Sequence, residues 1–329
     1  MIRRLAFSGV ALVVIAAAVG AYTIFRPGSG TREVVIPRGA TTAEIGRILE
    51  REGVIGSDSL FGISVRLRNL EGKLQAGRYE LREGMGMLSA LNLLAQGPQE
   101  KGTGVTVPEG FSLRLIAERV GARTHIGRDQ FLRAAQGGAG VRASIQPPGV
   151  QTLEGFLYPD TYFVGDNESA AVLTKRMVQA FERRIDGLDW SGAESRKLTK
   201  YQALIVASLV EREAKVDEDR AKVAAVIYNR LAKGMRLQID ITALYGLDEH
   251  KVPTRADLRR PSPYNTYLID GLPPTPIASP GLASIQATLH PAPIDAIYYV
   301  VIDPSGKHGF TSDPQEFERL KQRRPAEVH

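Results

Sequence analysis

No cysteine occurs in the 329 residues. That single absence excludes a disulfide framework, a zinc ribbon, an iron–sulfur cluster and a thiol nucleophile. It does not exclude an oxidising compartment, where a chain with a large core can fold without disulfides. Histidine is scarce as well. His125, His250, His290, His308 and His329 form neither a His-x-x-x-His pair nor an HExxH motif, so a histidine-rich metal site is not expected. The chain also lacks a Gly-x-x-x-x-Gly-Lys-Ser/Thr phosphate loop and a Gly-x-Ser-x-Gly nucleophile elbow. Gly138-Ala139-Gly140 with Ala143 brushes the dinucleotide pattern, but no strand precedes it.

What remains is globular: 43% apolar and 24% charged residues, with a formal net charge of +6. The length allows a membrane segment and roughly two domains. Leu5 to Phe25 is a run of 21 residues without a charge, preceded by Arg3 and Arg4. At about 1.5 Å per residue such a run crosses a hydrocarbon core of ~30 Å. The two arginines keep residues 1–4 cytoplasmic and place the rest outside. A cleaved signal peptide is the alternative, given the small residues from Ala16 to Ala21. The run exceeds the usual signal core of about 7–15 residues, so an uncleaved anchor over 5–25 is expected, with a linker over 26–32. The positive charge then suits lipid headgroups and an acidic wall polymer, and nucleic acid is set aside as a partner.

Two stretches align without gaps at an offset of 71. Val34, Pro37 and Gly39 match Val105, Pro108 and Gly110; Ile45 matches Ile116, Gly56 matches Gly127, and Asp58 matches Asp129. Each reads as a strand, a Pro-x-Gly turn and a helix with apolar residues at i, i+3 and i+4. In the first, Thr42 is the expected helix cap, a second helix starts at Ser57 or Asp58, and a strand near Gly77–Leu81 closes the module. This pattern over 33–102 resembles a LysM-like module, a small fold that grips N-acetyl sugars. Any small α+β unit with a Pro-Gly turn has the same outline, so the repeat establishes modularity and leaves the ligand open. A second, partial copy spans 103–150.

The chemical candidate lies further on. Thr199 and Gln202 have capping-box spacing and open a helix whose residues Ala203 to Val210 carry no charge. Glu211 follows at once, three residues from Ser208, four from Ala207 and seven from Leu204, on a stripe of small and apolar side chains. A partly desolvated carboxyl there is expected to hold its proton, which is what a general acid must do. Glu213 follows Val206 and Leu209 on another face and stays open. The bland alternative is that both begin a solvated helix end, with Glu211 and Lys215 as an i,i+4 pair. Asp217 to Asp219 suit the first turn of the next helix, and Gly234 suits its end. Gln238, Asp240 and Thr242 share one side if that segment is extended. The Pro-rich stretch Ser262 to Gly281, with Tyr264, Asn265 and Tyr267 embedded, reads as a rigid cleft wall.

The order of these motifs is specific. Ser208-Leu209-Val210-Glu211-Arg212-Glu213, Arg220 to Arg230, Met235-Arg236-Leu237-Gln238, Tyr264-Asn265-Thr266-Tyr267, Gly271-Leu272-Pro273-Pro274 and Pro280-Gly281 together resemble the YceG-like family of endolytic murein (lytic) transglycosylases. Glu154-Gly155-Phe156-Leu157-Tyr158-Pro159-Asp160-Thr161-Tyr162 and His308-Gly309-Phe310 also match family motifs, and no polar motif residue is missing. The resemblance implies an α+β fold: a transmembrane helix, a LysM-like module, and a catalytic domain over 103–329 with a helical core. It implies cleavage of the MurNAc–GlcNAc bond within nascent peptidoglycan glycan strands, leaving 1,6-anhydro-MurNAc ends, with peptidoglycan synthases as partners. Such an enzyme needs one carboxylate where ordinary glycosidases use two, because the sugar's own C6 hydroxyl is the second nucleophile. The resemblance puts that role on Glu211 and places Gln238, Asp240, Tyr264, Asn265 and Tyr267 along the cleft, with Gln238 or Asn265 holding the acetamido group. Glu154 and Asp160 are expected to brace the fold. No metal, nucleotide or redox cofactor is implied. A muramidase-type hydrolase and a non-catalytic wall-binding scaffold remain as alternatives.

Overall fold

The computed structural model describes residues 30–37, 39–98, 102–247 and 251–325. The expected anchor over 5–25 lies outside them. Among the described residues no helix is long and apolar enough to cross a membrane. The architecture is mixed α+β, mostly helical, with three two-stranded antiparallel sheets among the described residues. The chain divides into two compact units, residues 1–100 and 101–329.

The first unit runs β1 (Thr31–Ile36), α1 (Thr42–Arg51), α2 (Asp58–Leu67), β2 (Gly77–Arg82) and α3 (Met87–Gln96). The cap of α1 is Thr41, one residue before the expected Thr42. Its hydroxyl accepts the Glu44 N–H at 3.3 Å, while the Glu44 carboxylate accepts the Thr41 N–H at 2.7 Å. Ser57 caps α2. Apolar spacing then does the rest: Val34, Ile36, Ile45, Leu49, Phe61 and Val65 bury together in a core of the unit's own.

The second unit begins with the same plan: β3 (Thr103–Thr106), α4 (Leu113–Arg123), α5 (Arg128–Arg133) and β4 (Thr161–Val164). The two copies agree in detail. Val34 pairs with Tyr79 across β1–β2, and Val105 pairs with Tyr162 across β3–β4. Each tyrosine is buried and donates to a carbonyl four residues back, Tyr79 to Gln75 at 2.7 Å and Tyr162 to Tyr158 at 2.6 Å. Both Pro-x-Gly turns put their glycine at positive φ, 78° at Gly39 and 76° at Gly110. The closing strand of the second copy falls beyond the 103–150 stretch recognised in the sequence, because an insertion separates α5 from β4.

The rest of the unit is α6 (Ala170–Ile185), α7 (Ser191–Glu194), α8 (Lys200–Glu213), α9 (Asp217–Ala232), α10 (Asp240–Leu244), α11 (Arg255–Leu258), α12 (Leu282–Leu289), β5 (Tyr298–Val301), β6 (His308–Thr311) and α13 (Pro314–Gln322). The capping box at Thr199 and Gln202 opens α8. Residues 203–210 carry no charge because the helix belongs to two cores at once. Ala203, Leu204, Ile205 and Ala207 pack with the repeat and α6; Val206, Leu209 and Val210 pack with α9, Leu237, Ile239 and Ile277. Each buried Leu, Ile or Val there contributes about 1.5–3 kcal/mol. Gly234, at φ 63°, follows the end of α9 as its spacing predicts.

Gly155 marks a close approach. It sits at φ 83°, and a Cβ there would lie 2.5 Å from Cβ and 2.6 Å from Cγ of Pro276. Gly155→Ala is expected to cost about 2–3 kcal/mol through combined backbone strain and overlap. Urea unfolding checks this, and an unchanged midpoint would contradict it.

Candidate active site

The helix that shares two cores ends in a cleft of about 970 Å³. As α8 leaves the interior, its last turn presents Glu211, Arg212 and Glu213 to that space. The Glu211 side chain is only 7% exposed. The Gly281 N–H donates to Glu211 Oε2 at 3.0 Å. Its ion-pair partner is Arg220 of α9, with Nη1 3.6 Å from Glu211 Oε1, and not Lys215. Arg220 is itself held, donating to Ser284 Oγ at 3.1 Å and to Asp217 at 3.3 Å.

A second wall comes from the repeat. The Pro108-Glu109-Gly110 turn pairs with the end of the Pro-rich segment: the Gly110 N–H donates to the Ser279 carbonyl, and the Ser279 N–H to the Phe111 carbonyl, both at 2.9 Å. Arg212 donates to the Gly110 carbonyl at 2.9 Å. This docking lays Glu109 against Gly281, where a Cβ would come within 1.9 Å of Glu109 Oε1. Gly281 is small because two carboxyl groups approach it, Glu211 at its N–H and Glu109 at its Cα. Burial first, and then the Glu211 charge, push the Glu109 carboxyl above its ordinary range, while Arg220 pulls the other way.

The third wall carries the polar side chains. Gln238 stands at φ 50°, a left-handed conformation that few non-glycine residues adopt. Its N–H donates to the Thr266 carbonyl at 3.1 Å, and its Oε1 accepts from Arg230 at 3.4 Å. Arg230 is anchored in turn on the carbonyls of Ile297 and Leu237. Asp240 Oδ1 accepts the Tyr267 hydroxyl at 2.5 Å. Burial first, and then this bond, push the Tyr267 phenol upward, so Tyr267 keeps its proton. Glu213 accepts the Tyr299 hydroxyl at 2.8 Å, and burial raises its carboxyl to about 7.

The cleft therefore brings together Glu211, Gln238, Asp240 and Tyr267. Two expected lining residues stand elsewhere. Asn265 is fully buried, its amide donating to the Leu258 and Arg260 carbonyls and its oxygen accepting the Tyr267 N–H. It shapes the backbone that carries Tyr267 rather than facing the cleft. Tyr264 packs on Tyr245, ring centroids 4.3 Å apart, and its hydroxyl meets Thr275 Oγ1 at 3.0 Å. The 238–242 segment is also not extended throughout. Asp240 begins α10, and Thr242 turns inward to share a hydrogen bond with Thr266 at 2.8 Å.

The sequence model of the YceG-like family matches residues 34–323. This chain belongs to the YceG-like family. Among its relatives, the endolytic murein transglycosylase of Bacillus subtilis is 32% identical over 307 residues, covering 89% of this chain and 84% of that protein. The endolytic murein transglycosylase of Streptococcus pneumoniae strain R6 is 30% identical over 319 residues, 87% of this chain and 57% of that longer protein. A crystal structure of a yceG-like protein from Listeria monocytogenes superposes with a TM-score of 0.59 at 33% identity, covering 89% of this chain and 100% of that one.

Glu109 and Tyr299 of this YceG-like cleft, and Arg220 beside Glu211, escaped the sequence reading. Glu109 had a signal, since it stands where the first repeat has Arg38, a charge reversal within a matched Pro-x-Gly turn. Arg220 lies in a motif that looked like an ordinary helix start. Tyr299 gave none, because its strand reaches Glu213 only through the packing of the β5–β6 hairpin.

Proposed function

We propose that the cleft is the active site of an endolytic murein transglycosylase and that Glu211 is its acid. The observation that carries the reading is the setting of Glu211, a nearly buried carboxyl at the exit of a rigid helix, fixed by a backbone N–H and opening on a polar cleft. The family relationship supplies the substrate class.

The chemistry follows from one carboxyl used twice. Glu211 gives its proton to the glycosidic oxygen as the bond from C1 of MurNAc to that oxygen breaks, and charge develops at C1. The resulting carboxylate keeps the Gly281 N–H and gains from Arg220, so no reorganisation is needed at that moment. It then takes the proton of the C6 hydroxyl as O6 bonds to C1, closing the 1,6-anhydro ring. No water is consumed and Glu211 ends protonated. Gln238, Asp240 and Tyr267 are the substrate-binding side chains on the opposite wall, and the Arg230 anchor leaves the Gln238 amide nitrogen to meet a sugar.

The charge-free run behind Arg3 and Arg4 supports a single-pass anchor in the inner membrane, with the catalytic unit on the outer side. The strand–helix–helix–strand form of the first unit supports a LysM-like glycan grip. Together they fit an enzyme that meets nascent strands close to the synthases that make them.

Mass spectrometry of digested, uncross-linked glycan tests the reaction. Products are expected to end in anhydro-MurNAc, lighter by one water than reducing ends. Reducing ends would establish the hydrolytic rival, in favour of which Glu109 stands as a second carboxyl beside the acid. Binding to sacculi without any release would establish a scaffold.

A further inference from the structure

We propose that Glu213 is a second substrate-contacting acid of the cleft, donating a hydrogen bond from its Oε1 to the carbonyl oxygen of a sugar acetamido group. The inference rests on the glycan reading above and adds a ligand group and a protonation state to it.

Glu213 follows Glu211 by two residues, so it leaves the same helix turn on another face, and both line one cleft. Its two oxygens have different surroundings. Oε2 accepts the Tyr299 hydroxyl at 2.8 Å. Tyr299 is the donor in that contact, and burial, then the Glu213 charge, keep its phenol far from ionising. A neutral Glu213 that keeps this bond on Oε2 carries its proton on Oε1. Among the described residues Oε1 has no hydrogen-bond partner. Glu213 lines the cleft, so an O–H on Oε1 is left for a ligand there.

The surrounding charges decide the protonation state. All influences together raise the carboxyl to about 7, and burial is the largest of them. Within that balance the Tyr299 hydrogen bond, Lys215 and Arg212 lower it, and Asp240 of α10 acts with burial to raise it. Tyr267 faces the same group and stays protonated, and Arg230 acts through Tyr299. His308 packs on the Tyr299 ring at 5.3 Å and is held toward its neutral form by burial. The positive charges are outweighed, and near neutrality the acid form is present.

The choice of partner follows from donor and acceptor chemistry. A sugar hydroxyl can donate or accept, so it would bind Glu213 in either form. An acetamido carbonyl only accepts, so it requires the proton and is lost when Glu213 ionises. N-acetyl sugars present that group on every ring of the glycan. Asn265, which the sequence offered for this task, is fully buried behind the wall.

The test is direct binding of uncross-linked glycan strands to Glu211→Gln protein, which separates recognition from cleavage. Between about pH 6 and about pH 8 the Kd is expected to rise about tenfold, the change set by a group titrating near 7. Adding Glu213→Gln supplies a donor that cannot ionise, and the Kd is expected to become independent of pH. Adding Glu213→Ala is expected to weaken binding about tenfold at pH 6 and to remove the pH dependence as well. A pH-dependent Kd that survives Glu213→Gln overturns the inference, and so does a Gln variant as weak as the Ala variant at pH 6. If Glu211→Gln protein cuts the glycan during the measurement, it is the assignment of the acid that fails, and the Kd comparison still judges Glu213.

Discussion

Glu211→Gln is expected to leave purified sacculi uncut, with a loss of turnover of about 10²–10⁴-fold, the contribution of a positioned general acid. The substitution is isosteric, and its amide oxygen can still accept the Gly281 N–H, now 3.0 Å from Oε2. Only the transferable proton and the negative charge toward Arg220 are lost. The fold should be retained, since α8 is held by its apolar residues in two cores rather than by its last turn. Release of soluble muropeptides from sacculi, quantified beside the unmodified protein, checks the result. Persistent release by the variant would move the role to Glu213 or Glu109, which line the cleft along with Asp240.

The second large effect concerns stability. Glu154 is 1% exposed, and its two oxygens accept the Leu113 N–H at 2.9 and 3.0 Å, while Oε2 also accepts the Tyr245 hydroxyl at 2.7 Å. One side chain thus caps the start of α4 and ties in the Tyr245–Tyr264 pair behind the cleft. Glu154→Ala leaves the Leu113 N–H buried without this acceptor, removes one hydrogen bond of Tyr245 and opens a void. A loss of about 3–5 kcal/mol is expected, on the order of 10 °C in the melting temperature of the second unit. Thermal unfolding followed by circular dichroism reads the change directly. Glu154→Gln keeps one accepting oxygen and should recover part of the loss; equal melting temperatures for all three proteins would remove Glu154 from this structural role.

These residues show where the sequence was informative. The capping box at Thr199, the charge-free stretch to Val210 and the emergence of Glu211 are local, and local spacing reports them faithfully. The repeat was legible through its turns and helices, which keep a fixed offset. Its closing strand was not, because the insertion before β4 breaks the offset and only the pairing of Val105 with Tyr162 reveals the equivalence. Asn265 misled for a physical reason. Asparagine suits an acetamido group, yet it suits unpaired backbone carbonyls equally well, and an irregular Pro-rich segment supplies those in quantity. Segment 238–242 misled because Gln238 adopts a left-handed backbone that no pattern of side chains signals. Glu109 and Tyr299 reach the cleft from elements far away in sequence, and their meeting with Glu211 and Glu213 is a product of packing alone.

The double membership of α8 has one more consequence. A helix bounded by a single interior can fray on its far side while keeping its catalytic end in place. Here both sides of 203–210 are walled in. Loosening either core withdraws support from the same eight residues and so from the turn that bears Glu211. The proposed acid is therefore in place only when both cores are closed.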